Sequence, residues 1–404
     1  MSAQELRQPG IHVAVVSCYP PSTGPLSEYS YHLVKEYQRS SQISRVTVIA
    51  DRIGTEEVKP SGRIDVVRCW GLNDPVAFLR IVKKSFELRP DIIHFNILFR
   101  QFSSNRLFNF LGLTTPAILR LFRRRVVVTL HSLAEGLDIR EIGYSDSFFN
   151  RLGYTIATRL LLDANAVTVT HQHFANILKQ RYRADNVVTV PHGVFFSPKE
   201  KLTFSGKRLL LFGKIGPYKN AKLALEAFNQ VFLKDRDVEL LIAGPHHPFH
   251  QGLLDSTTRS KNLTGVKFEG YVPEDRLEEL FNSCAVVLLP YTTPTWSSGT
   301  FTLASAFGRP VIASDVLDFR ELAAEGAGVI LFPNGDSDAM AEEIEHVLND
   351  PEIQERLGEM NLAWAKAHRF EDSANTLVLL LLSIATKKRD QTGKSSVENS
   401  NHLA

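Results

Sequence analysis

The segment Gly213-Lys214-Ile215-Gly216-Pro217-Tyr218-Lys219 places two lysines five residues apart in a Gly/Pro loop. It follows the apolar run Arg208-Leu209-Leu210-Leu211-Phe212 and precedes a helical pattern with Leu225, Phe228 and Phe232 on one face. A loop between a buried strand and a helix start already favours anions, because unpaired backbone N–H groups and the helix dipole point into it. Two ammonium groups would add point charges and make that loop an anion clamp. The spacing is not that of a P-loop, since two glycines followed by Lys and Ser/Thr are absent. Solvated loop charge is the other reading of Lys214 and Lys219, and spacing alone does not choose between the two.

A second anion-ready position lies at Thr295-Trp296-Ser297-Ser298-Gly299-Thr300, ahead of an apolar stretch that ends at Gly308-Arg309-Pro310. Serine and threonine are natural helix caps, and Gly299 permits close backbone approach. A pyrophosphate held by two lysines and this helix start is chemically coherent, although capping alone also accounts for Ser298. The turn Tyr19-Pro20-Pro21-Ser22-Thr23-Gly24 opens another helix, with Leu26, Tyr29, Leu33 and Tyr37 on one face. Gly24 there could approach a phosphate or a sugar hydroxyl, but any strand-to-helix turn can use glycine.

The histidines are weaker signals. His94, His131 and His192 read as packed or turn residues, and His171 with His173 as neighbours on one face of an extended strand end. His246, His247 and His250 could ligate a metal, but their Pro-interrupted loop lacks further ligands. Asp336-Ser337-Asp338 precedes a helical pattern and reads as an N-cap. No metal is expected.

The elements that must position these residues are short β-branched runs alternating with helical patterns, the mark of parallel sheets with crossover helices. One series runs His12–Ser17, Val46–Ile49, Asp65–Arg68, Asp91–Phe95, Val126–Leu130, Val167–Thr170 and Val187–Val190. The second runs Leu209–Phe212, Glu239–Ala243, Val266–Glu269, Ala285–Leu289, Val311–Ala313 and Val329–Leu331. Between them, Phe195–Lys207 has neither period and reads as a linker. The expectation is two doubly wound α/β domains, residues 1–197 and 205–369, with a ligand cleft at the carboxyl ends of their strands. Residues 370–386 are too apolar for a free helix and should pack back on the first domain, ahead of a disordered tail at 387–404.

A chain of 404 residues with 44% apolar and 22% charged residues is ordinary for a globular protein of two or three domains. A net charge of +2 gives no signal for nucleic acid. Cys18, Cys69 and Cys284 read as buried thiols of a reduced compartment, and Met1–Pro9 lacks a signal-peptide core, so a cytoplasmic location is expected. Leu107–Leu121 is apolar and ends in Arg120, Arg123, Arg124 and Arg125. It is too interrupted to span a bilayer; it could lie at the inner membrane face, and it reads equally as a core helix feeding the next strand.

Taken in order, these segments resemble the GT-B glycosyltransferases, in particular the family-four retaining transferases of the group 1 type. The resemblance runs from Val13 to about Ile384. It is carried by the Tyr19–Gly24 turn, Asp91-Ile92-Ile93-His94, Val127–His131, Pro191-His192-Gly193-Val194 and Gly213–Lys219. Gly244-Pro245, Gly270-Tyr271-Val272 and Ala306–Val311 complete it. One departure stands out: the family's paired glutamates fall at Thr295 and Leu303 here, neither acidic.

The resemblance implies metal-free transfer, with retention, from a nucleotide-diphosphate sugar to a glycan or lipid-linked acceptor, and no further cofactor. It implies catalytic roles for Lys214, Lys219 and His131, the last facing the donor sugar. Gly24, Gly244, Tyr271, Val272, Ser298, Gly299 and Thr300 would contact the donor. Within enzymes, an epimerase or phosphorylase of the same fold is a rival; across classes, a non-catalytic GT-B protein that partners another transferase is the alternative, which the missing acids would suit.

Overall fold

The structure, a computed structural model, describes residues 10–22, 26–53, 63–133, 148–198, 204, 206–245, 264–294 and 298–387. Gly24, the His246–His250 loop, Thr295, most of the linker and the chain beyond Lys387 lie outside the described residues.

The first sheet has seven parallel strands: β1 (Ile11–Val16), β2 (Ile43–Asp51), β3 (Ile64–Trp70), β4 (Ile92–Ile97), β5 (Val126–Leu130), β6 (Ala166–Val169) and β7 (Val187–Thr189). Their order is β3-β2-β1-β4-β5-β6-β7. The second sheet has six: β8 (Arg208–Phe212), β9 (Glu239–Ala243), β10 (Val266–Glu269), β11 (Val286–Leu289), β12 (Val311–Ser314) and β13 (Val329–Phe332). Their order, β10-β9-β8-β11-β12-β13, repeats the same winding. Strand direction of winding reverses at β1/β4 and at β8/β11, the crevices where open α/β sheets take their ligands.

Continuous apolar strands follow from burial on both faces. Ala14 and Val16 of β1 belong to the core beneath one helical layer, Val13 and Val15 to the core on the opposite face. Leu209 and Leu211 of β8 likewise face one core and Leu210 the other. The helix Phe370–Thr386 returns to the first sheet. Phe370, Ala374, Leu377, Val378, Leu381 and Ile384 share a core with Val13 and Val15, and with Tyr29, Leu33 and Tyr37 of the helix Ser27–Arg39. Gly193 makes that return possible: its φ is +74°, and a Cβ there would lie 2.6 Å from Phe370 Cα.

The apolar segment Leu107–Leu121 is two short helices, Arg106–Leu113 and Thr115–Leu121. Pro116 in the first turn of the second has no N–H to continue the ladder of the first. Leu113 and Leu119 are buried, while Leu107, Leu121 and Phe122 stand out in solvent.

Candidate functional site

The loop after β8 sits at the sheet's crossover point. Gly213 N donates to Ala243 O at 2.9 Å and Ile215 N to Pro245 O at 3.0 Å, which clips the loop to the end of β9. Ile215 is buried, and Pro217–Lys219 forms a 3-10 turn. That turn swings the two lysines apart in environment. Lys214 is exposed, as the sequence reading expected.

Lys219 is not: it is only 3% exposed, a correction to the expectation that both lysines lie free in the cleft. Its Nζ donates to Phe212 O at 2.5 Å, Tyr291 Oη at 2.8 Å and Thr300 Oγ1 at 3.2 Å. It also lies 4.9 Å from the centroid of the Tyr291 ring. Burial pulls the ammonium down to about 8, with Tyr218 opposing that shift. No carboxylate pairs with it among the described residues.

The helix Gly299–Ala306 brings the second half of the site. Ser298 caps it by accepting from Phe301 N at 3.2 Å, so its hydroxyl is occupied in the way capping alone would require. Thr300 Oγ1 donates to Phe212 O at 3.2 Å, the same carbonyl that holds Lys219. A Cβ on Gly299 would meet nothing within 4 Å, so the protein itself leaves space beside this helix start. Leu303 packs against the core of its domain, where no ribose could reach a polar atom on it.

Gly244 has a different reason to be glycine. Its φ is +129°, and a Cβ would fall 2.2 Å from Gly213 O. Val272 is buried and Tyr271 is 76% exposed. The Val272 side chain therefore belongs to the core of its domain and is withheld from a ligand.

Across the cleft, His131 is buried at the end of β5. Its Nε2 bonds Asn96 Oδ1 at 2.7 Å, and Nδ1 is sealed with no partner. Asn96 Nδ2 donates to Ser30 Oγ at 2.9 Å, which fixes Oδ1 as the acceptor and puts the histidine proton on Nε2. Burial, then His192 and His94, hold the imidazole well below its ordinary value, so it is neutral. Its unprotonated Nδ1 could accept a hydrogen bond but not donate one, and it is covered in this arrangement. His94 is a core residue bonded to Tyr37 at 3.0 Å and Thr129 at 2.7 Å, as the packed reading held.

Sequence reasoning missed three contributors. Tyr291 grips Lys219 from just beyond β11, and the only available signal was its place at a strand's carboxyl end. Asp51 and Arg68 fix the turn that leads to Gly24: Asp51 accepts from Tyr19 N and from Ser22 Oγ. Arg68 donates to Tyr19 O at 3.2 Å and Pro20 O at 2.6 Å, with its guanidinium 3.9 Å from Asp51. Asp336 accepts from Asp338 N and Ala339 N, which makes that acidic pair a helix cap.

Two parallel doubly wound sheets, a basic loop at one switch point and a helix start beside it define the GT-B class of protein. The family described as "Glycosyltransferase Family 4" matches residues 2–195, and the one described as "Glycosyl transferases group 1" matches residues 206–350. The chain belongs to the GT-B glycosyltransferases of the group 1 type.

Among its relatives is the GDP-mannose:glycolipid 4-beta-D-mannosyltransferase of Xanthomonas campestris, 30% identical over 223 residues, 55% of this chain and 59% of the relative. The phosphatidyl-myo-inositol mannosyltransferase of Mycolicibacterium smegmatis is 28% identical over 41% of this chain and 42% of its own length. The chain thus spans only about half the length of these curated relatives. In fold it is similar to a sucrose-phosphate synthase of Thermosynechococcus elongatus, with a TM-score of 0.74 and 18% identity, covering 93% of this chain and 99% of that one. The Anabaena protein HepE in complex with UDP-glucose gives a TM-score of 0.69 at 17% identity, covering 92% and 99%.

Proposed function

We propose that the protein transfers a sugar from a nucleotide-diphosphate sugar to a glycan or lipid-linked acceptor, with retention, and without a metal at the leaving diphosphate. The observation that carries this reading is the Lys219 ammonium, buried without a carboxylate beside a helix start that leaves room for a ligand. An unpaired buried cation is costly, and an anion bound next to it removes the cost. In the reaction the leaving diphosphate gains charge, and a preorganised cation stabilises that charge. Lys214 would add a mobile second cation, the amides at Ser298–Thr300 fixed dipoles, and His131 an acceptor for a donor-sugar hydroxyl. The diphosphate itself, held close, would take the acceptor proton on the same face. The expected non-catalytic partner finds no support in these features.

A second reading has one observation in its favour. The relative named for a β-linked mannose product suits inversion. The test is turnover of UDP- and GDP-sugars on glycolipid acceptors, with the product anomer read by proton NMR. We expect the donor's configuration to be kept; the opposite anomer would replace retention with inversion and require a base in the cleft.

Activity should persist in excess chelator, because this reading gives Lys214 and Lys219 the role that a metal ion would otherwise play at the diphosphate. If chelation abolishes turnover and manganese or magnesium restores it, that part of the proposal fails.

Lipid-linked acceptors are supported by the names of the two curated relatives and by one surface. Leu121 and Phe122 are 79% and 58% exposed, and Phe86 packs edge-on to Phe122 at 5.5 Å. Arginines flank them. Arg120 is bonded to Asp163 O, Arg124 to Pro90 O and Arg125 to Lys387 O, which pins these stems while leaving their charge. Among the described residues no helix is long and apolar enough to cross a membrane. The expected result is salt-sensitive binding to anionic vesicles, since each basic residue near such a surface contributes about 1 kcal/mol. Changing Arg123, Arg124 and Arg125 to Ser should weaken it in flotation at low salt. A protein that stays wholly soluble there has a soluble acceptor.

A further inference from the structure

Glu28 and His32 lie one turn apart on the helix Ser27–Arg39 of the first domain. Glu274 opens the 3-10 turn Glu274–Arg276 of the second, just beyond β10. One ligand atom from each residue lies within 4.8 Å of the other two. The cluster therefore joins the two halves of the molecule.

The arrangement is unfinished as protein alone. Two carboxylates face each other with no basic partner among the described residues, and Glu28 is held above the usual carboxylate range by burial and then by Glu274. His32 Nε2 is sealed and has no hydrogen-bond partner. The His32 ring is fixed by stacking on Phe195 at 4.6 Å, with Tyr31 edge-on at 5.4 Å. Its Nε2, sealed and unpartnered, leaves the ring with a nitrogen that no group among the described residues satisfies. Two carboxylates and one imidazole are a donor set of the kind that binds a divalent ion.

We propose that Glu28, His32 and Glu274 form a binding site for a divalent transition metal of the Zn2+ class that ties the two domains together across their cleft. Imidazole selects this class over Mg2+ and Ca2+, which prefer all-oxygen shells. Ligand bonds of about 2.0–2.2 Å around a tetrahedral ion set the ligand atoms about 3.4 Å apart. The three ligand atoms lie within 4.8 Å of one another, a spread that small side-chain shifts can bring to that spacing. The site is distinct from the lysines assigned to the leaving diphosphate, so its ion is a bridge between the domains and takes no part in the transfer step.

The test is titration of the chelator-treated, intact protein with Zn2+ by calorimetry and with Co2+ by its visible absorption. One equivalent per chain is expected, weakened at least about tenfold by His32→Ala and, independently, by Glu274→Gln. Glu274→Gln, on an exposed side chain, should keep the thermal midpoint of the metal-free protein and so carries the test if His32→Ala, which removes the ring stacked on Phe195, lowers it. Only a bridging site loses its ion to substitutions in both domains. Absence of binding overturns the proposal. So does binding that survives both variants but disappears when His246, His247 and His250 are changed to Ala, since the ion then belongs to that loop. None of these readouts requires turnover, so a failed donor reading leaves the result intact.

Discussion

Lys219→Met is expected to lower turnover by about 100-fold or more while leaving the fold intact, the loss typical of removing one preorganised stabiliser of developing charge. Methionine fills nearly the volume of the lysine stem without a charge to desolvate. Met thus separates chemistry from packing where Ala would leave a hole beneath Tyr291 and Thr300. Lys214→Ala, on an exposed side chain, should reduce turnover with no effect on the thermal midpoint. The pH dependence follows from the burial of Lys219, which lowers it from 10.5 to about 8. Below pH 8 the ammonium is charged and kcat/KM is at its plateau; above pH 8 it loses its proton in the free enzyme and kcat/KM falls, about tenfold per pH unit. Stability moves the other way. Between about pH 8 and 10.5 the unfolded chain binds the proton that the folded chain has released, so the Lys219 contribution to stability rises with pH. A flat kcat/KM profile to pH 9.5, or full turnover in Lys219→Met, would remove this lysine from the mechanism.

The same lysine marks the boundary of what could be read from the sequence. The loop, its basic pair and its place between a buried strand and a helix follow from local pattern. The inward turn of Lys219 does not. It depends on the 3-10 turn at Pro217–Lys219 and on Tyr291, 72 residues away, reaching its Nζ. Local pattern also located β2, but as Val46–Ile49 within the observed Ile43–Asp51. Ladder bonds are made by backbone, so the polar ends Ser44, Arg45 and Asp51 extend a strand whose apolar signal stops sooner. Asp51 then holds the Tyr19–Ser22 turn with Arg68, a pair separated by 17 residues that periodicity does not connect. The breaks in Leu107–Leu121 were legible at Thr114, Thr115 and Pro116, and the structure restarts the helix there, at Thr115. The helix Phe370–Thr386 was legible for the opposite reason. Its apolar residues on nearly every side admit only a packed position, and Gly193 leaves the room for it against the first domain.

Gly244 and Gly299 were expected to serve the donor alike, and substitution by alanine should separate them. At Gly244 the new Cβ falls 2.2 Å from Gly213 O and 2.7 Å from Gly213 C, on a backbone at φ +129°. Both neighbours are main chain, so no side chain can rotate away. Overpacking and a φ that L-residues rarely adopt each cost about 1–3 kcal/mol, and together they should lower the thermal midpoint by many degrees. The strain acts on Gly213, whose own absent Cβ lies 3.0 Å from Lys219 Nζ and 3.4 Å from Thr300 Oγ1. Turnover should therefore fall with stability, by about 100-fold, as a displacement of this size near the reacting groups commonly causes. At Gly299 the Cβ enters open space, with no positive φ to strain. Gly299→Ala should leave the midpoint unchanged, and any loss of nucleotide-sugar turnover must come from the methyl group meeting the donor. Gly270→Ala, also in open space, is the control for a glycine of the same crevice. Should Gly299→Ala and Gly270→Ala both retain full turnover, the diphosphate does not approach the Gly299 helix start, and Lys214 with Lys219 must hold it from the β8 side alone.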